Sequence, residues 1–127
     1  MGNAPYENEI LDQTFDAEVA MTTKYIAVKH GTNEGQVNIA GDGETAIGIL
    51  QTTAATAGDQ VRVRRIGNSL AKANGVFSRG DIVNSAAATG KLDTAGSGEY
   101  GWEAMQDAPA QDAEVTVFVC GIGHYKP

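Results

Sequence analysis

The sequence predicts an all-β protein, built as a small sandwich or barrel. Ten Val and eight Ile outnumber four Leu, and β-branched side chains favour the pleated surface of a strand. Sixteen Gly are spread along the chain and interrupt it too often for long helices. Strand-like segments also recur at intervals of roughly 8–12 residues with turn residues between them, a spacing typical of sandwiches and barrels.

The chain is expected to divide into three parts. Residues 1–14 are predicted to form a flexible N-terminal arm, because its Asn, Pro and acidic residues resist packing. Residues 15–120 make up the β domain, and residues 121–127 form a C-terminal tail. The arm also carries three apolar side chains that suit contact with a partner: Tyr6, Ile10 and Leu11.

The β domain is expected to begin at Phe15. Leu11, Phe15 and Val19 recur at the four-residue spacing of a helix face, whereas apolar residues from Phe15 to Met21 also alternate with more polar ones, as in a half-buried strand. Because a good helix cap is missing and two Thr follow, the strand is favoured. Further strands are predicted over residues 24–30, 36–40, 45–51, 60–66, 82–83 and 115–120.

The strand predicted over residues 60–66 requires a β-bulge. Val61 and Val63 share one face, but Ile66 falls on the opposite face. One extra residue at Arg64–Arg65 returns Ile66 to the apolar face, so we expect the bulge there.

Three further features bear on topology. Asn74–Gly75 is the strongest signal for a two-residue hairpin, since both central positions of such a turn need positive φ. The strand over residues 115–120 is apolar on both faces, which is typical of a central strand or of one covered by a neighbouring subunit. A weak internal repeat relates residues 54–63 to residues 108–117, and it suggests a pseudo-symmetric barrel.

Charge and composition exclude several classes of partner. The chain has 16 Asp and Glu against 9 Lys and Arg, a formal net charge of −7, which opposes binding to nucleic acid or anionic lipid. No run reaches the roughly 18 apolar residues of a membrane span, and the N-terminal region lacks the pattern of a secretory signal. Large apolar side chains are few, so we expect the domain to gain stability as a homo-oligomer or by docking.

The residues supply no recognisable catalytic, cofactor or metal site. A nucleophile needs an adjacent base and a donor for the oxyanion, but His30 and His124 stand at a strand end and in the tail. Cys120 lies in the most apolar strand, where a thiol is usually inert. Asp42 and Glu44 flank a glycine, which is ordinary turn chemistry. We therefore expect no enzyme activity and no cofactor.

The basic residues of the strand over 60–66 form one cluster. Arg62 and Arg64 project together, and they either bind an anion, solvate an exposed face or pair with acids such as those of a neighbouring subunit's arm. The first 20 residues hold five acids and no base.

Short Gly- and Ala-rich blocks follow one another in a fixed order: residues 46–50, 54–58, 61–63 and 67, then residues 80–83, 90–92, 101–104, 108–110 and 114–117. In this order they resemble small tailed-phage or prophage capsid decoration proteins, also termed head-stabilising or cement proteins. The resemblance implies a β-barrel or β-tulip-like domain, commonly a homotrimer, on the outer capsid surface. It also implies an arm that reaches the shell or the next subunit.

Under this resemblance the chain is made in the host cytoplasm and joins the virion. Its partners are the major capsid protein and further copies of itself, with no role for nucleic acid or membrane. The expected interface residues are Pro5, Tyr6, Ile10, Leu11, Phe15, Arg62 and Arg64.

Two alternatives remain at this point. The first is a surface-displayed carbohydrate- or cell-binding β module, with Trp102 and Tyr100 as an aromatic platform. The second is a small β-barrel enzyme or carrier domain with a modified Lys91, for which the flanking pattern is wrong.

Overall fold

The structure, a computed structural model, describes residues 5–127, so the first four residues of the predicted arm lie outside the described part of the chain. Every regular element among the described residues is a strand, and the predicted all-β class is confirmed. The strands are β1 (Asn8–Ala17), β2 (Ala27–His30), β3 (Gln36–Ile39), β4 (Gly48–Leu50), β5 (Gln60–Lys72), β6 (Ile82–Ser85), β7 (Leu92–Thr94), β8 (Tyr100–Ala104), β9 (Glu114–Cys120) and β10 (His124–Tyr125).

Five strands of the mixed sheet close into a ring. Strand β1 pairs in parallel with β3 and antiparallel with β5. The path between them runs from β3 through β2 and β4 to β5, with every neighbour antiparallel. The ring therefore closes only because β1 pairs on both of its edges.

The 13-residue strand β5 is the longest strand described, and it carries the predicted bulge. Leu11 of β1 pairs with Ile66 and Asp12 pairs with Arg64, which leaves Arg65 without an opposite residue. The bulge at Arg64–Arg65 is confirmed. Val63 is buried in the core, and Ile66, beyond the bulge, is only partly buried.

The second half of the chain, from β5 onward, repeats the strand path of the first half. The order β3–β2–β4–β5 is matched by β7–β6–β8–β9, and β5 takes the place that β1 has in the first half. The register recurs pair by pair: Val28–Ile39 as Val83–Thr94, Val28–Gly48 as Val83–Trp102, Ile49–Arg64 as Glu103–Phe118, and Asp16–Gln60 as Lys72–Glu114.

The connections repeat as well as the strands. A two-way backbone bridge joins Met21 to Ala54, and its counterpart joins Phe77 to Ala108. The parallel pair Ala17–Val37 of the first ring has a single-bridge counterpart, Ala73–Leu92. The weak sequence repeat therefore marks a structural duplication in which two five-strand paths share β5.

The two halves meet where the β6–β7 hairpin docks on the first half. Gly90 adopts φ +76°, and a Cβ there would lie 2.7 Å from the carbonyl oxygen of Ala27. Four hydrogen bonds hold this junction: Ala27 N to Gly90 O at 2.8 Å, Gly43 N to Ser85 O at 3.0 Å, Ser85 Oγ to Ala40 O at 2.8 Å, and Asn84 Nδ2 to Glu44 O at 3.2 Å.

The core forms two clusters. One lies within the first half and is built around Met21, Ile26 and Leu50. The other is centred on Trp102 and β9 and reaches across the junction to Ala40. Ala supplies nearly half of the second cluster, where backbones approach closely, whereas the first cluster is filled mainly by Val, Ile, Leu and Met side chains.

Two sequence expectations are corrected. Residues 8–14 are not a flexible arm but the greater part of β1, whose backbone pairs with β5 along most of its length. Asn74–Gly75 does not form a two-residue hairpin, since neither residue has positive φ and Asn74 N donates to Leu92 O. Strand β5 pairs instead with the distant β9, so no hairpin forms at that point.

Strand β9 is central, as its apolar sequence predicted. It lies between β5 and β8, and its inward residues Val115, Val117 and Val119 are buried. No helix in the described part of the chain has the length and apolar character needed to cross a membrane.

Candidate functional site

Residues 5–7 cross the face of β9 and β5 that points away from the core. The hydroxyl of Thr116 accepts a hydrogen bond from Tyr6 N and donates one to Tyr6 O, each at 2.8 Å. This two-way contact fixes the backbone of the segment just before β1 begins. We use the name outer face for the surface formed by residues 5–7, β1 and the outward side chains of β5 and β9.

An ion-pair network fastens β1 and residues 5–7 to β5. The guanidinium of Arg64 donates to both carboxylate oxygens of Asp12, at 2.9 and 3.2 Å, and to Glu7 at 2.9 Å. The Arg64 and Asp12 side chains are 6% and 3% exposed, so this is a buried pair. Burial opposes the charge of Arg64, but the hydrogen bond and charge of Asp12 outweigh it and raise the pKa of the guanidinium.

The two predicted arginines therefore differ in role. Arg64 pairs with Asp12 and Glu7 of its own chain, and its assignment to an interface stays a prediction. Arg62 also pairs with Asp12, at 2.9 Å, but its side chain is 52% exposed. Pairing of these arginines with an acidic segment is one of the sequence-based expectations, and here that segment belongs to the same chain.

The predicted apolar interface residues separate into two groups. Tyr6, Ile10 and Leu11 are exposed by 43%, 64% and 40%, and Pro5 is exposed as well. Phe15 is half-buried and packs against the first-half core, so it holds β1 in place. The four exposed residues are neighbours along the chain, and they form the apolar part of the outer face.

The aromatic platform proposed for sugar binding is not available at Trp102. This side chain is 1% exposed, and its indole N–H donates to Gly121 O at 2.9 Å. Tyr100 packs against Tyr125 with ring centroids 5.4 Å apart. Trp102 is a core residue, and this part of the carbohydrate-binding interpretation is wrong.

Cys120 lies near a histidine but without the features of a nucleophile. Its sulfur is 3.8 Å from Nε2 of His124. Burial raises the pKa of the thiol, and the charge of Glu103 raises it further. A thiol with a raised pKa is less available as the reactive thiolate at neutral pH.

Two features bear on whether the described residues could hold a small ligand, the clustering of metal-ligating side chains and a depression beside the outer face. No group of three or more His, Cys, Asp or Glu among them is placed to hold a metal ion. A depression of about 370 Å³ lies beside the outer face, next to Tyr6. Its other lining residues are Arg79, Gly80, Glu103, Met105 and Gln106.

Two functional contacts were missed from the sequence. The Tyr6–Thr116 pair joins residues at opposite ends of the chain, and nothing in the apolar sequence around Thr116 indicates a polar partner. Lys126 of the tail bonds to the second half through its backbone and its ammonium group. The sequence signal for contact between the N-terminal segment and β5 was the alternation of Arg62 and Arg64 in a chain whose first 20 residues are acidic.

The fold has a counterpart among solved structures. The N base of the head fibre protein gp8.5 of bacteriophage phi29 superposes with a TM-score of 0.62 and 15% sequence identity, over 86% of this chain and 92% of that one. No protein-family model matches the sequence. No curated protein matches it either. At this identity the likeness shows a shared fold.

Proposed function

We propose that this chain is a tailed-phage capsid decoration protein that binds the outer surface of the head and stabilises it. The observation that carries the proposal is the fold shared with a phage head fibre base along nearly the whole of both chains. The order of sequence blocks that resembles capsid decoration proteins supports it independently.

The outer face is the surface we assign to the shell. Pro5, Tyr6, Ile10 and Leu11 present apolar area beside a network in which Arg64 is already neutralised. A rigid surface of this kind binds with little ordering cost, because the backbone is held by β5 and by Thr116 before the partner arrives. The major capsid protein is the partner that the proposal assigns to it.

The physical demands of decoration match the chain's composition. Such a protein needs no reaction and no cofactor, and it works by adding many modest interfaces in parallel around the head. A net charge of −7 is compatible with the outside of the shell, where the packaged DNA lies on the other side. The proposal also includes a homotrimer, because few large side chains are available to stabilise a monomer.

Cosedimentation with heads tests the proposal. Expanded heads of the virus that encodes the chain, prepared without this protein, are mixed with the purified chain and pelleted. We expect saturable binding, with a clear loss in the double variant Ile10→Ser, Leu11→Ser. Val76→Ser is the matched control, since Val76 is 68% exposed and lies outside the outer face. Failure of the unmodified chain to pellet with the heads would overturn the proposal.

Light scattering tests the trimer separately. A homotrimer has three times the chain mass of 13.2 kDa. A single species at the chain mass at micromolar concentration would contradict this part of the proposal.

A further inference from the structure

The first half contributes several backbone groups to the junction between the halves. Because the second half repeats the first, it contains an equivalent of each of these groups. On the first half, the junction uses Ala27 N, Ala40 O, Gly43 N and Glu44 O. The equivalent residues follow from repeated hydrogen bonds: Ala40 N to Ala27 O recurs as Ala95 N to Ile82 O, and Glu44 N to Gly41 O recurs as Glu99 N to Gly96 O. We name the resulting set, Ile82, Ala95, Gly98 and Glu99, the acceptor surface.

Lys126 occupies the acceptor surface in this structure. Its ammonium donates to Ala95 O at 2.6 Å, where Ser85 Oγ donates to Ala40 O in the first half. Its carbonyl accepts from Gly98 N at 2.6 Å, as Ser85 O accepts from Gly43 N. Its N–H donates to Glu99 O at 2.8 Å, where Asn84 Nδ2 donates to Glu44 O. One tail residue thus reproduces three of the four junction contacts.

The hairpin of the first half that corresponds to β6–β7 is the β2–β3 hairpin, and it does not dock on another part of the chain in the way that β6–β7 docks on the first half. His30, at the position of Ser85, is exposed, and Lys29 stands at the position of Asn84. Gly35 has φ +78° like Gly90, but a Cβ on it would meet nothing within 4 Å, whereas one on Gly90 would contact Ala27. The β2–β3 hairpin therefore has the same turn conformation as β6–β7 and open space at the Cβ position of Gly35, while Gly35 O accepts one hydrogen bond from Asp16 N of β1 at 2.8 Å.

We propose that the acceptor surface is a docking site for the β2–β3 hairpin of a second copy of this chain, and that Lys126 closes it. The occupant is indicated by the molecule's own junction, in which a hairpin of the same register already fills the same pattern of donors and acceptors. In the docked state the imidazole of His30 donates to Ala95 O. Ile82 N donates to Gly35 O as a second donor beside Asp16 N, because a backbone carbonyl has two lone pairs.

The contact joins two different surfaces, so it is heterologous. Copies joined in this way build a closed ring if the rotation between them closes, and an open chain if it does not. Lys126 therefore limits self-association of the free protein, and its displacement extends the assembly. This inference concerns copies of the chain in solution and does not depend on the proposed binding to heads.

A substitution in the full-length chain tests the proposal. Lys126→Pro removes both the N–H and the ammonium, while the rest of the tail is kept. Light scattering over a dilution series should show half-association at a concentration about fivefold to a hundredfold lower than in the unmodified chain, since each of the two lost hydrogen bonds contributes about 0.5–1.5 kcal/mol and 1.4 kcal/mol is tenfold. Circular dichroism confirms that the variant is folded.

The hairpin variant decides whether the association uses the proposed surface. His30→Glu in the Lys126→Pro background should restore the behaviour of the unmodified chain, because a carboxylate has no hydrogen to donate to Ala95 O and its charge is repelled by that carbonyl oxygen. Gln111→Glu adds the same charge at another exposed position and should leave the association unchanged.

Two results would overturn the proposal: a folded Lys126→Pro chain with unchanged association, or association that persists with His30→Glu. If Lys126→Pro fails to fold, Lys126→Ala removes the ammonium contact alone and is judged by the direction of the same shift. Whether the chain binds heads does not affect the interpretation of either result.

Discussion

Removal of the Arg64 guanidinium should destabilise the fold more than any other single change to a surface-strand charge. In Arg64→Met the carboxylate of Asp12, 3% exposed, loses the partner that donates to both of its oxygens. Breaking a buried pair from one side costs about 3–5 kcal/mol. Arg62 remains within 2.9 Å of Asp12, so we expect the lower end of that range, about 3 kcal/mol.

Urea unfolding followed by tryptophan fluorescence measures this cost. Trp102 is buried in the second-half core and reports the loss of tertiary structure. A loss of about 3 kcal/mol corresponds to a fall in Tm of about 10 °C for a chain of this size.

Two further variants make the prediction specific. Arg62→Met removes a 52% exposed side chain from the same carboxylate, and an exposed pair of this kind contributes at most about 1 kcal/mol. Arg64→Met combined with Asp12→Leu should recover most of the loss, because replacing both members of a buried pair by apolar residues is often neutral. Equal effects of Arg62→Met and Arg64→Met would refute the assignment of Arg64 to a buried pair.

Three other changes have expected outcomes. Gly67→Ala should cost at least about 2 kcal/mol in urea unfolding, because the residue has φ +128° and a Cβ would lie 2.3 Å from a carbonyl oxygen of β1; unfolding at the normal midpoint would contradict the close approach. Thr116→Val should free the backbone of Tyr6, and chymotrypsin should then cut after Tyr6 faster than in the unmodified chain. The hydrogen bond from Lys29 lowers the pKa of Glu44 below its ordinary 4.5, so this pair stabilises the fold above that pH and the stabilisation is lost as the pH falls through the lowered pKa. Glu44→Gln should therefore flatten the acid side of a Tm-against-pH curve. An unchanged curve would show that the pair contributes nothing.

Much of the fold was accessible from the sequence because each segment carries its own signal. Val-rich alternation predicted the strands, and the parity of Val61, Val63 and Ile66 located the bulge. The two apolar faces of β9 predicted either a central strand or one covered by a neighbouring subunit, and the structure shows a central strand. These features depend on residues that are close together in the chain.

The features that escaped prediction depend on distant partners. Strand β1 looks like a polar arm because most of its side chains are exposed, and what orders it is the backbone of β5 some 50 residues later. Asn74–Gly75 has the composition of a tight turn, but β5 pairs with β9 and the turn is not used. Local composition does not encode which strand lies alongside.

The candidate site was predicted in part. Tyr6, Ile10 and Leu11 were identified as exposed apolar residues of the N-terminal segment, and the structure confirms that they are exposed. The Arg64 side chain is buried in a pair with Asp12 of the same chain, one of the alternatives that the sequence left open, and its predicted place in an interface stays a prediction. The sequence shows that basic residues of β5 could pair with acidic ones, but not whether those acids belong to the same molecule or to a neighbouring one.

Electron cryomicroscopy of heads decorated with the purified chain tests the central claim most directly. The account predicts one density per chain on the outside of the shell, with the outer face and its Tyr6–Leu11 segment turned towards the major capsid protein. Heads that carry no such density after incubation with excess protein, or density that contacts the shell through a different surface, would contradict it.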